Sequence, residues 1–342
     1  MDQTDKTDRD ELLVLTRRDL AALLSAFDEN EVIELVRAAY IAHARGQTDL
    51  PHSTFLRFPG RSRERIIALP AFLGDGFAAA GVKWISSFPD NVGRGLERAS
   101  ALVILNSMDT GRPRVVMEGA LVSAMRTAAS AALAAKELHS DPTPVVGLVG
   151  AGRINLEISR FLAAVFPRSV EWWLFDLDAA RAAEFQGRLA AERPRLLVRV
   201  ASSIEDVLTR CGLVAFATTA VEPHVADLSG CAAGTTILHV SLRDLTPETI
   251  LDADNVVDDV DHVCRAQTSV HLAEQQVGHR NFIRADLGRI LTGELPARPD
   301  RSRLSIFSPF GLGILDVAVA ARAAELAEQR AFGTKVLGFQ TD

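Results

Sequence analysis

A buried strand that ends in a glycine turn and runs directly into a helix constrains this chain more than any other segment. The apolar run at 145–149 is followed by Gly150-Ala-Gly152, and a helical pattern begins directly behind the turn. Strand and helix patterns then alternate along the chain. Such alternation is typical of a doubly wound, Rossmann-type parallel sheet, so the fold class is predicted to be α/β.

The hydrophobic periodicity gives the predicted elements of this part and of its flanks. Strands are predicted at 145–149, 171–176, 196–201, 212–219, 235–241 and 255–260, with helices at 154–166, 178–192 and 203–210. Ahead of them, residues 13–45 are predicted as helices, 52–119 as short β-strands and 121–138 as one long helix. A last amphipathic helix is predicted at 313–330.

Composition and charge exclude several classes of protein. The chain has 342 residues, which suits two domains at about 150 residues each. Its net charge of −7 argues against nucleic acid as the main partner, because neutralising phosphates needs clustered Lys and Arg. A small anionic substrate stays compatible with this charge, since it needs only a few local arginines.

Targeting and metal-binding patterns are missing from the sequence. Residues 1–13 are acidic and lack an apolar core, so no signal peptide is expected, and no apolar run approaches the ~18 residues of a membrane span. Three cysteines without a CxxC pair fit a reducing cytoplasm. The eight histidines form no HxxxH pattern, so no metal site is expected.

The glycine turn matches a dinucleotide-binding motif. Gly150 permits a tight turn, and Gly152 lets a pyrophosphate approach the backbone at the N-terminus of the next helix. Arg153 and Ile154 begin that helix and are predicted to contact the cofactor. A glycine turn without a nucleotide is the alternative, and a solvated side chain is the alternative for Arg153.

Two further positions qualify this motif. Asn155 stands where the usual fingerprint has a third glycine, which weakens the match. Asp176, however, ends the second strand 26 residues after Gly150. A carboxylate at that place accepts the ribose hydroxyls and repels a 2′-phosphate, so the predicted cofactor is NAD rather than NADP.

Lys83 stands out because lysine is rare in this chain, which has four Lys among 37 basic residues. It lies in a β-pattern between Val82 and Trp84. In a strand of period two its side chain faces away from both neighbours, so it need not be buried. A catalytic lysine and a lysine that extends from a sheet edge into solvent are both compatible, and this pattern alone favours the second.

Several other charged residues are candidates for the site. Arg126 interrupts an otherwise apolar helix, where a guanidinium needs an anionic partner, either a substrate carboxylate or one from the chain. Arg57 and Arg98 allow the same two interpretations.

Asp244 follows the strand at 235–241. Because ligands bind outside the carboxyl ends of parallel strands, a carboxylate at this place is suited to proton transfer. The alternative is that Asp244 caps the following helix.

Four segments carry a family likeness in their order and spacing: GVKWISSFPDN at 81–91, LNSMDTGRP at 105–113, MRTAASAALAAKEL at 125–138 and the turn at 150–152. Together they resemble the ornithine cyclodeaminase/mu-crystallin family over nearly the whole chain. The segments that most resemble one branch, the dehydrogenases of 2,3-diaminopropionate biosynthesis for siderophores and peptide antibiotics, lie at 51–59, 86–100, 239–248 and 306–316.

The resemblance implies a homodimer of two-domain subunits. Residues 1–125 with 311–342 are expected to form an α+β domain for substrate binding and dimerisation, and 126–310 the NAD-binding domain. Lys83 and Arg126 are implied to face the substrate carboxylate, with Lys83 among the catalytic residues, and Asp244 is implied to be the acid/base. The residues implied to lie near the cofactor are Arg98, Thr218, the backbone of Leu238, His239, Val240 and Ser241, and Ser308.

For this branch the resemblance implies that N-(2-amino-2-carboxyethyl)-L-glutamate and NAD become 2,3-diaminopropionate, 2-oxoglutarate and NADH. Ornithine-using members are expected to carry an acidic residue near position 68, where this chain has Ala68. His52 and Arg57 instead suit a substrate with several carboxylates. Two alternatives stay open: a cyclodeaminase that recycles NAD, and an imine reductase or mu-crystallin-like binder, whose usual NADPH is disfavoured by Asp176.

Overall fold

Residues 11–339 are described by the structure, a computed structural model, and they form two compact units. The first unit comprises residues up to Arg126 together with those from Leu312 onward, and the second runs from Thr127 to Gly311. The roles predicted for the two domains, substrate binding with dimerisation and NAD binding, stay predictions.

The first unit is built on a mixed sheet of strands β1 (Glu11–Leu15), β2 (Thr48–Asp49), β3 (Thr54–Phe58), β4 (Arg61–Leu73), β5 (Ala79–Ser87), β6 (Ala99–Asn106), β7 (Pro113–Glu118) and β16 (Thr334–Leu337). Their order is β16-β1-β7-β6-β5-β4-β2, and β3 also pairs with β4. The neighbours from β4 to β7 are antiparallel. A central strand such as β5 therefore has a partner on both edges.

Helices cover one face of this sheet. They are α1 (Arg17–Leu24), α2 (Glu29–Ala44), the start of α3 (Ala120–Leu138) and α11 (Gly313–Gln329). Helix α11 packs against β4, β5 and β6. Its first residue, Gly313, approaches β4 so closely that an added Cβ would lie 3.1 Å from the Leu69 carbonyl oxygen. This face carries the core of the unit, including Leu69, Val103, Leu105 and Met117.

The prediction of helix from residue 13 is wrong at its start, because residues 13–15 belong to β1. Leu13 pairs with Val115 of β7 in parallel and with Lys335 of β16 in antiparallel register. Thr16 then caps α1 with a capping box. Both partners of Leu13 are more than 100 residues away, so local periodicity could not reveal this strand.

The second unit contains a wholly parallel sheet of strands β8 (Val146–Val149), β9 (Glu171–Phe175), β10 (Leu197–Val200), β11 (Leu213–Phe216), β12 (Thr236–His239), β13 (Asp254–Val257), β14 (Ile283–Asp286) and β15 (Ser305–Ser308). Their order is β10-β9-β8-β11-β12-β15-β13-β14. The chain moves outward from β8 in one direction and then returns to its other side, which makes the sheet doubly wound.

The helices of this unit are the rest of α3, then α4 (Arg153–Val165), α5 (Ala179–Glu192), α6 (Ile204–Arg210), α7 (Pro247–Asp252), α8 (Val260–Val263), α9 (Ser269–Val277) and α10 (Leu287–Leu291). Strands β8, β11, β12, β13 and β15 are buried throughout, whereas the edge strand β10 is largely exposed. The predicted fold class, a Rossmann-type sheet with a second α+β unit, is confirmed.

Candidate active site

The glycine turn of the second unit lies between β8 and α4. Gly150 has φ +97°, and a Cβ added to it would lie 2.7 Å from the Ala217 carbonyl oxygen, so both conformation and space require glycine. Gly152 is the N-cap of α4, and no side chain accepts a capping hydrogen bond at this end of the helix. A Cβ added to Gly152 would have no atom within 4 Å. The N-terminal backbone of a 13-residue helix is therefore accessible to an anion.

Asp176 lies beside this turn at the end of β9. Its Oδ2 accepts a hydrogen bond from the backbone N–H of Ala151 at 2.7 Å, and its Oδ1 accepts one from Asp178 at 2.9 Å. The carboxylate is only partly buried, so lone pairs remain for ribose hydroxyls. Turn, helix terminus and carboxylate together fit the pyrophosphate and ribose of NAD.

Asn155 has a structural role that the sequence comparison with the usual motif missed. Its side-chain amide is buried and donates to the carbonyl oxygens of Val149 at 2.9 Å and Gly150 at 2.7 Å. The missing third glycine is thus replaced by a side chain that holds the turn. Ile154 is partly buried in the first helical turn, whereas Arg153 is exposed and lies 3.7 Å from Glu157.

A polar network lies at the carboxyl ends of β11, β12 and β15. Asp244 is fully buried and accepts hydrogen bonds from the hydroxyls of Thr218 and Ser241. The backbone N–H of Asp244 donates to His239 Nε2 at 3.1 Å, and His239 Nδ1 lies 3.3 Å from Ser308 Oγ. The structure therefore brings the side chains of five predicted residues into one connected cluster, although His239 and Ser241 were predicted for their backbone.

The backbone predicted to lie near the cofactor belongs to the same end of the sheet. Leu238 is buried in β12, and the N–H groups of Val240 and Ser241 both donate to the Phe216 carbonyl oxygen, at 3.0 and 3.1 Å. The side chain of His239 packs edge-on against Phe216. The contact between His239 and Asp244 could not be predicted from the sequence.

Asp244 is held in its charged form. Burial raises the pKa of this carboxyl group, but the His239 ring and the hydroxyls of Ser241 and Thr218 outweigh burial, so the pKa lies below its ordinary value. An ionised carboxylate is a proton acceptor. Because Asp244 is fully buried, a proton that reaches it must pass through a group that contacts it, and the two hydroxyls are such groups.

The first unit holds a second cluster, around a buried carboxylate. Lys83 Nζ donates to Asp316 Oδ2 at 2.6 Å, and Arg126 Nε donates to Asp316 Oδ1 at 3.2 Å. The hydroxyl of Ser123 accepts from both Lys83 Nζ and Arg126 Nη2, each at 3.3 Å. Exposure is 2% for Lys83, 8% for Arg126 and 0% for Asp316, so the interpretation of Lys83 as a lysine extended into solvent is wrong.

Two cations share one carboxylate in this cluster, which leaves an excess positive charge. Neither Lys83 nor Arg126 pairs with another acidic side chain within the described part of the chain. Burial and the neighbouring charge of Arg126 lower the pKa of Lys83, Asp316 opposes both effects, and together they lower the pKa to about 8. A buried excess charge of this kind is an attractive site for an anion.

Asp316 was not among the residues predicted for the site. It occupies the first turn of α11, and it is the one charged residue of the segment 312–321. A lone carboxylate in this apolar segment is the signal that could have identified it. Ser123 carried no such signal.

The remaining predicted residues of the first unit are less buried. His52 and Arg57 are exposed, and the guanidinium carbon of Arg57 lies 5.5 Å from the centre of the Phe55 ring. Arg98 is partly buried, and its Nη1 lies 3.4 Å from Ser87 Oγ. Within residues 11–339 no hydrogen bond joins Arg57 or Arg98 to Lys83 or Arg126.

Ala68 does not share the sheet face of Lys83, contrary to the expectation from the ornithine-using members. Ala68 pairs with Trp84, whereas Leu69 pairs with Lys83, so Ala68 lies on the opposite face of the sheet from Lys83. The residues of β4 that share the face of Lys83 from position 65 to 71 are Arg65, Ile67, Leu69 and Ala71. None of these four side chains is acidic, so the face offers no carboxylate from this strand for an amine.

The described residues have neither a metal-binding cluster nor a membrane-spanning helix. No group of three or more His, Cys, Asp or Glu side chains between residues 11 and 339 is arranged to hold a metal ion. No helix in that range is both long and apolar enough to span a bilayer.

The family model of the ornithine cyclodeaminase/mu-crystallin family matches residues 13–330. The chain therefore belongs to this family. Among known relatives, the N-((2S)-2-amino-2-carboxyethyl)-L-glutamate dehydrogenase of Staphylococcus aureus is 29% identical over 331 residues, which cover 95% of this chain and 98% of that protein. The alanine dehydrogenase of Archaeoglobus fulgidus is 27% identical, over 96% of this chain and 99% of that protein.

Solved structures agree with this assignment. The Δ1-pyrroline-2-carboxylate reductase of Thermococcus litoralis, in complex with NADH and L-proline, aligns with a TM-score of 0.88 at 27% identity, over 95% of this chain and 100% of that chain. An archaeal alanine dehydrogenase dimer with bound NAD aligns with a TM-score of 0.85 at 27% identity, over 96% and 100%. The predicted family, the enzyme class and the cofactor NAD are confirmed.

Proposed function

We propose that this protein catalyses the NAD-dependent oxidative hydrolysis of N-(2-amino-2-carboxyethyl)-L-glutamate to L-2,3-diaminopropionate, 2-oxoglutarate and NADH, within siderophore or peptide-antibiotic biosynthesis. The Staphylococcus aureus relative bears the name of a dehydrogenase of this substrate. The observation that carries the proposal is the buried cluster of Lys83, Arg126 and Asp316, whose excess positive charge suits a substrate carboxylate.

Lys83 and Arg126 bind and orient the α-carboxylate of the glutamate moiety in this proposal. Charge-assisted hydrogen bonds from a buried lysine and a buried arginine fix the carboxylate in position, and with it the neighbouring C–H bond. Asp316 accepts a hydrogen bond from each of the two cations and so fixes their positions. Gly150, Gly152, Arg153, Ile154 and Asp176 are the residues that would hold the pyrophosphate and ribose of NAD, which would supply the hydride acceptor for the α-carbon.

Asp244 is the group that accepts and returns protons in this proposal. The secondary amine of the substrate must be neutral before its α-carbon can lose a hydride, and water must later be activated to release 2,3-diaminopropionate. Because Asp244 is ionised and buried, we assign the transfer to the hydroxyl of Thr218 or Ser241, each of which passes its own proton to the carboxylate as it accepts one.

Two alternatives belong to the same family and make different products. A cyclodeaminase would return the hydride and release ammonia from ornithine, and a reductase would act on an imine. The face of β4 around Lys83 carries Arg65 and apolar residues and no acidic group for the side-chain amine of ornithine, which favours the anionic substrate.

The proposal is tested by initial rates of NADH formation with N-(2-amino-2-carboxyethyl)-L-glutamate, L-alanine, L-ornithine and L-proline. We expect kcat/KM for the first substrate to exceed the others by at least about 100-fold, because each additional bound carboxylate contributes charge-assisted hydrogen bonds. Equal or higher values for alanine or proline would contradict the proposed substrate.

The charge of Asp176 is expected to select NAD over NADP. In an Asp176→Asn variant the remaining side-chain oxygen still accepts the N–H of Ala151, but the charge that repels a 2′-phosphate is lost. We expect the ratio of kcat/KM for NAD to that for NADP to fall by about tenfold or more. The matched control is Asp178→Asn in the same loop, and an unchanged ratio in the Asp176 variant would contradict the role.

We propose that the protein is a homodimer and that the uncovered face of the first sheet is its interface. Opposite the helices, Leu56, Trp84 and Leu102 are 46%, 43% and 46% exposed, and Trp84 pairs directly with Leu102. Apolar side chains contiguous on one sheet face are typical of an interaction surface. The archaeal alanine dehydrogenase with a similar fold is a dimer.

A charged residue in this face should dissociate the dimer. We expect Trp84→Glu to sediment as a monomer at micromolar concentration, because a carboxylate buried without a partner is costly. The control is Leu177→Glu, since Leu177 is 95% exposed in the second unit. A Trp84→Glu protein that still sediments as a dimer would refute this interface.

We further propose a cytoplasmic location. Cys211, Cys231 and Cys264 are free thiols in the structure, as suits a reducing compartment. Burial raises the pKa of the Cys211 and Cys264 thiols to about 12, so both are unreactive in the folded chain. The proposed partner is the small anionic amino acid alone, with neither nucleic acid nor membrane.

A further inference from the structure

The imidazole ring of His239 is fully buried at the carboxyl end of β12. The ring of Phe216 packs edge-on against it, and its Nδ1 lies 3.3 Å from Ser308 Oγ. Its Nε2 accepts the backbone N–H of Asp244 at 3.1 Å and lies 3.4 Å from Oδ2 of the same residue. Within residues 11–339, Asp244 is the one charged group that contacts this ring.

These contacts determine which nitrogen of His239 carries the proton. Because Nε2 accepts the N–H of Asp244, the proton of the neutral ring belongs on Nδ1, which donates it to the Ser308 hydroxyl. Nε2 and Asp244 Oδ2 then face each other as two acceptors, 3.4 Å apart. One additional proton between them would convert this unfavourable contact into a charge-assisted hydrogen bond.

Asp244 alone is a weak base. Burial raises the pKa of its carboxyl group, but the His239 ring and the hydroxyls of Ser241 and Thr218 outweigh burial, so the pKa lies below its ordinary value. An imidazole generally binds a proton more tightly than a carboxylate does, with an ordinary pKa of about 6.5 against about 3.9. A proton that reaches Asp244 is therefore held more favourably on the neighbouring Nε2.

We propose that His239 Nε2 holds the proton that the reaction passes through Asp244, so that the two residues act as one proton-accepting pair. The inference rests on the proposed function and deepens it, because it extends the path of the proton by one group. His239 acts through Asp244 and contacts no substrate atom in this account. It is therefore a positioning residue, whose task is to keep the carboxylate ionised while a proton is stored.

One proton and no electrons move along this path. The substrate amine in its ammonium form gives a proton to the hydroxyl oxygen of Ser241, which passes its own proton to Asp244 Oδ2. Oδ2 then gives the proton to His239 Nε2, so the ring becomes an imidazolium and the carboxylate is restored beside it. The reverse sequence returns the proton to the nitrogen of the departing 2,3-diaminopropionate.

Nitrogen NMR of the histidine rings tests the pair without turnover. The protein, with isotopically labelled histidine, is titrated from about pH 9 to about pH 5, and the signals of His239 are those missing from His239→Gln. We expect the Nδ1–H tautomer at high pH and a doubly protonated ring at low pH. In Asp244→Asn this transition should move to lower pH by about one unit, because the charge that favours the imidazolium is lost.

The proposal is overturned by a ring that stays neutral throughout the titration or that carries its neutral proton on Nε2. A transition that Asp244→Asn leaves in place would overturn it as well, because the two groups would then not share a proton.

The dependence of kcat on pH separates proton storage from a structural role. His239 must be neutral to receive the proton, so kcat of the wild type should fall as pH is lowered and the ring becomes charged. In His239→Gln the side-chain oxygen can still accept the N–H of Asp244, but it cannot hold a proton. We expect a kcat about 10- to 100-fold lower with KM within about twofold, and an acidic fall displaced by about one pH unit or more to lower pH.

The matched control is His279→Gln, at an exposed histidine of the same unit, which should keep the wild-type kcat and pH profile. A loss of kcat in His239→Gln that leaves the acidic fall at its wild-type position would show a structural role alone and overturn the proposal. If the NMR titration gives the expected result but no NADH forms from N-(2-amino-2-carboxyethyl)-L-glutamate, the proposed function fails while the pair of His239 and Asp244 stands.

Discussion

Replacing Asp244 by Asn is expected to lower kcat by about 10²- to 10⁴-fold, the usual contribution of a positioned acid/base group. The carboxamide is close in shape: its oxygen can still accept one of the hydroxyls of Thr218 and Ser241, and its NH2 group can donate to the other, but it cannot take up a proton. The dissociation constant of NAD should change by less than about threefold. Stopped-flow NADH formation and an NAD titration measure the two quantities.

Two further variants accompany Asp244→Asn: a matched control, and a double variant that removes both hydroxyls through which the proton is transferred. Asp227→Asn, at an exposed aspartate of the same unit, should leave both quantities unchanged. Because the relay runs through hydroxyls, Thr218→Val combined with Ser241→Ala should lower kcat to nearly the same extent as Asp244→Asn. Equal losses of kcat and of NAD affinity in Asp244→Asn would refute the acid/base assignment.

Replacing Asp316 by Asn should weaken substrate binding strongly and in a pH-dependent way. Asp316 opposes the lowering of the Lys83 pKa, so without its charge this pKa falls below its present value of about 8. In the wild type we expect kcat/KM to fall as pH rises through about 8, as Lys83 loses its proton. In Asp316→Asn this fall should begin at lower pH, and KM at pH 8 should rise by about 100-fold.

Folding must be separated from binding in this variant, because removing one partner of a buried ion pair costs about 3–5 kcal/mol of stability. Circular dichroism and urea unfolding check that the protein is folded under assay conditions. A KM that recovers towards the wild-type value at low pH supports the positioning role, since Lys83 is then protonated again. In Lys83→Arg the side chain stays charged, so the decrease of kcat/KM near pH 8 should disappear. A pH-independent defect in Asp316→Asn would contradict the positioning role.

Much of the second unit follows from local sequence patterns. The glycine turn, the alternation of strands and helices and the carboxylate at Asp176 are all short-range features, and each is found where the pattern placed it. Central parallel strands such as β8 and β11 have continuous apolar sequences because both of their faces are covered. Strand β15, by contrast, had no such signal: Ser305 and Ser308 are buried polar residues in a four-residue strand.

The first unit depended on contacts between distant parts of the chain. Lys83 and Asp316 are 233 residues apart, and the pattern around Lys83 could not show that β5 is a central strand covered by α11. The face of Ala68 was likewise fixed only by the register of β4 against β5. A one-residue difference in such a register reverses which face a side chain occupies.

The central claim is net oxidation of a polycarboxylic secondary amine, and end-point stoichiometry tests it most directly. The enzyme and excess NAD are mixed with a limiting amount of N-(2-amino-2-carboxyethyl)-L-glutamate, with L-ornithine in a parallel cuvette. The account predicts one NADH and one 2-oxoglutarate per molecule of the first substrate and no reaction with the second. Ammonia and proline from ornithine without net NADH, and no NADH from the first substrate, would contradict it.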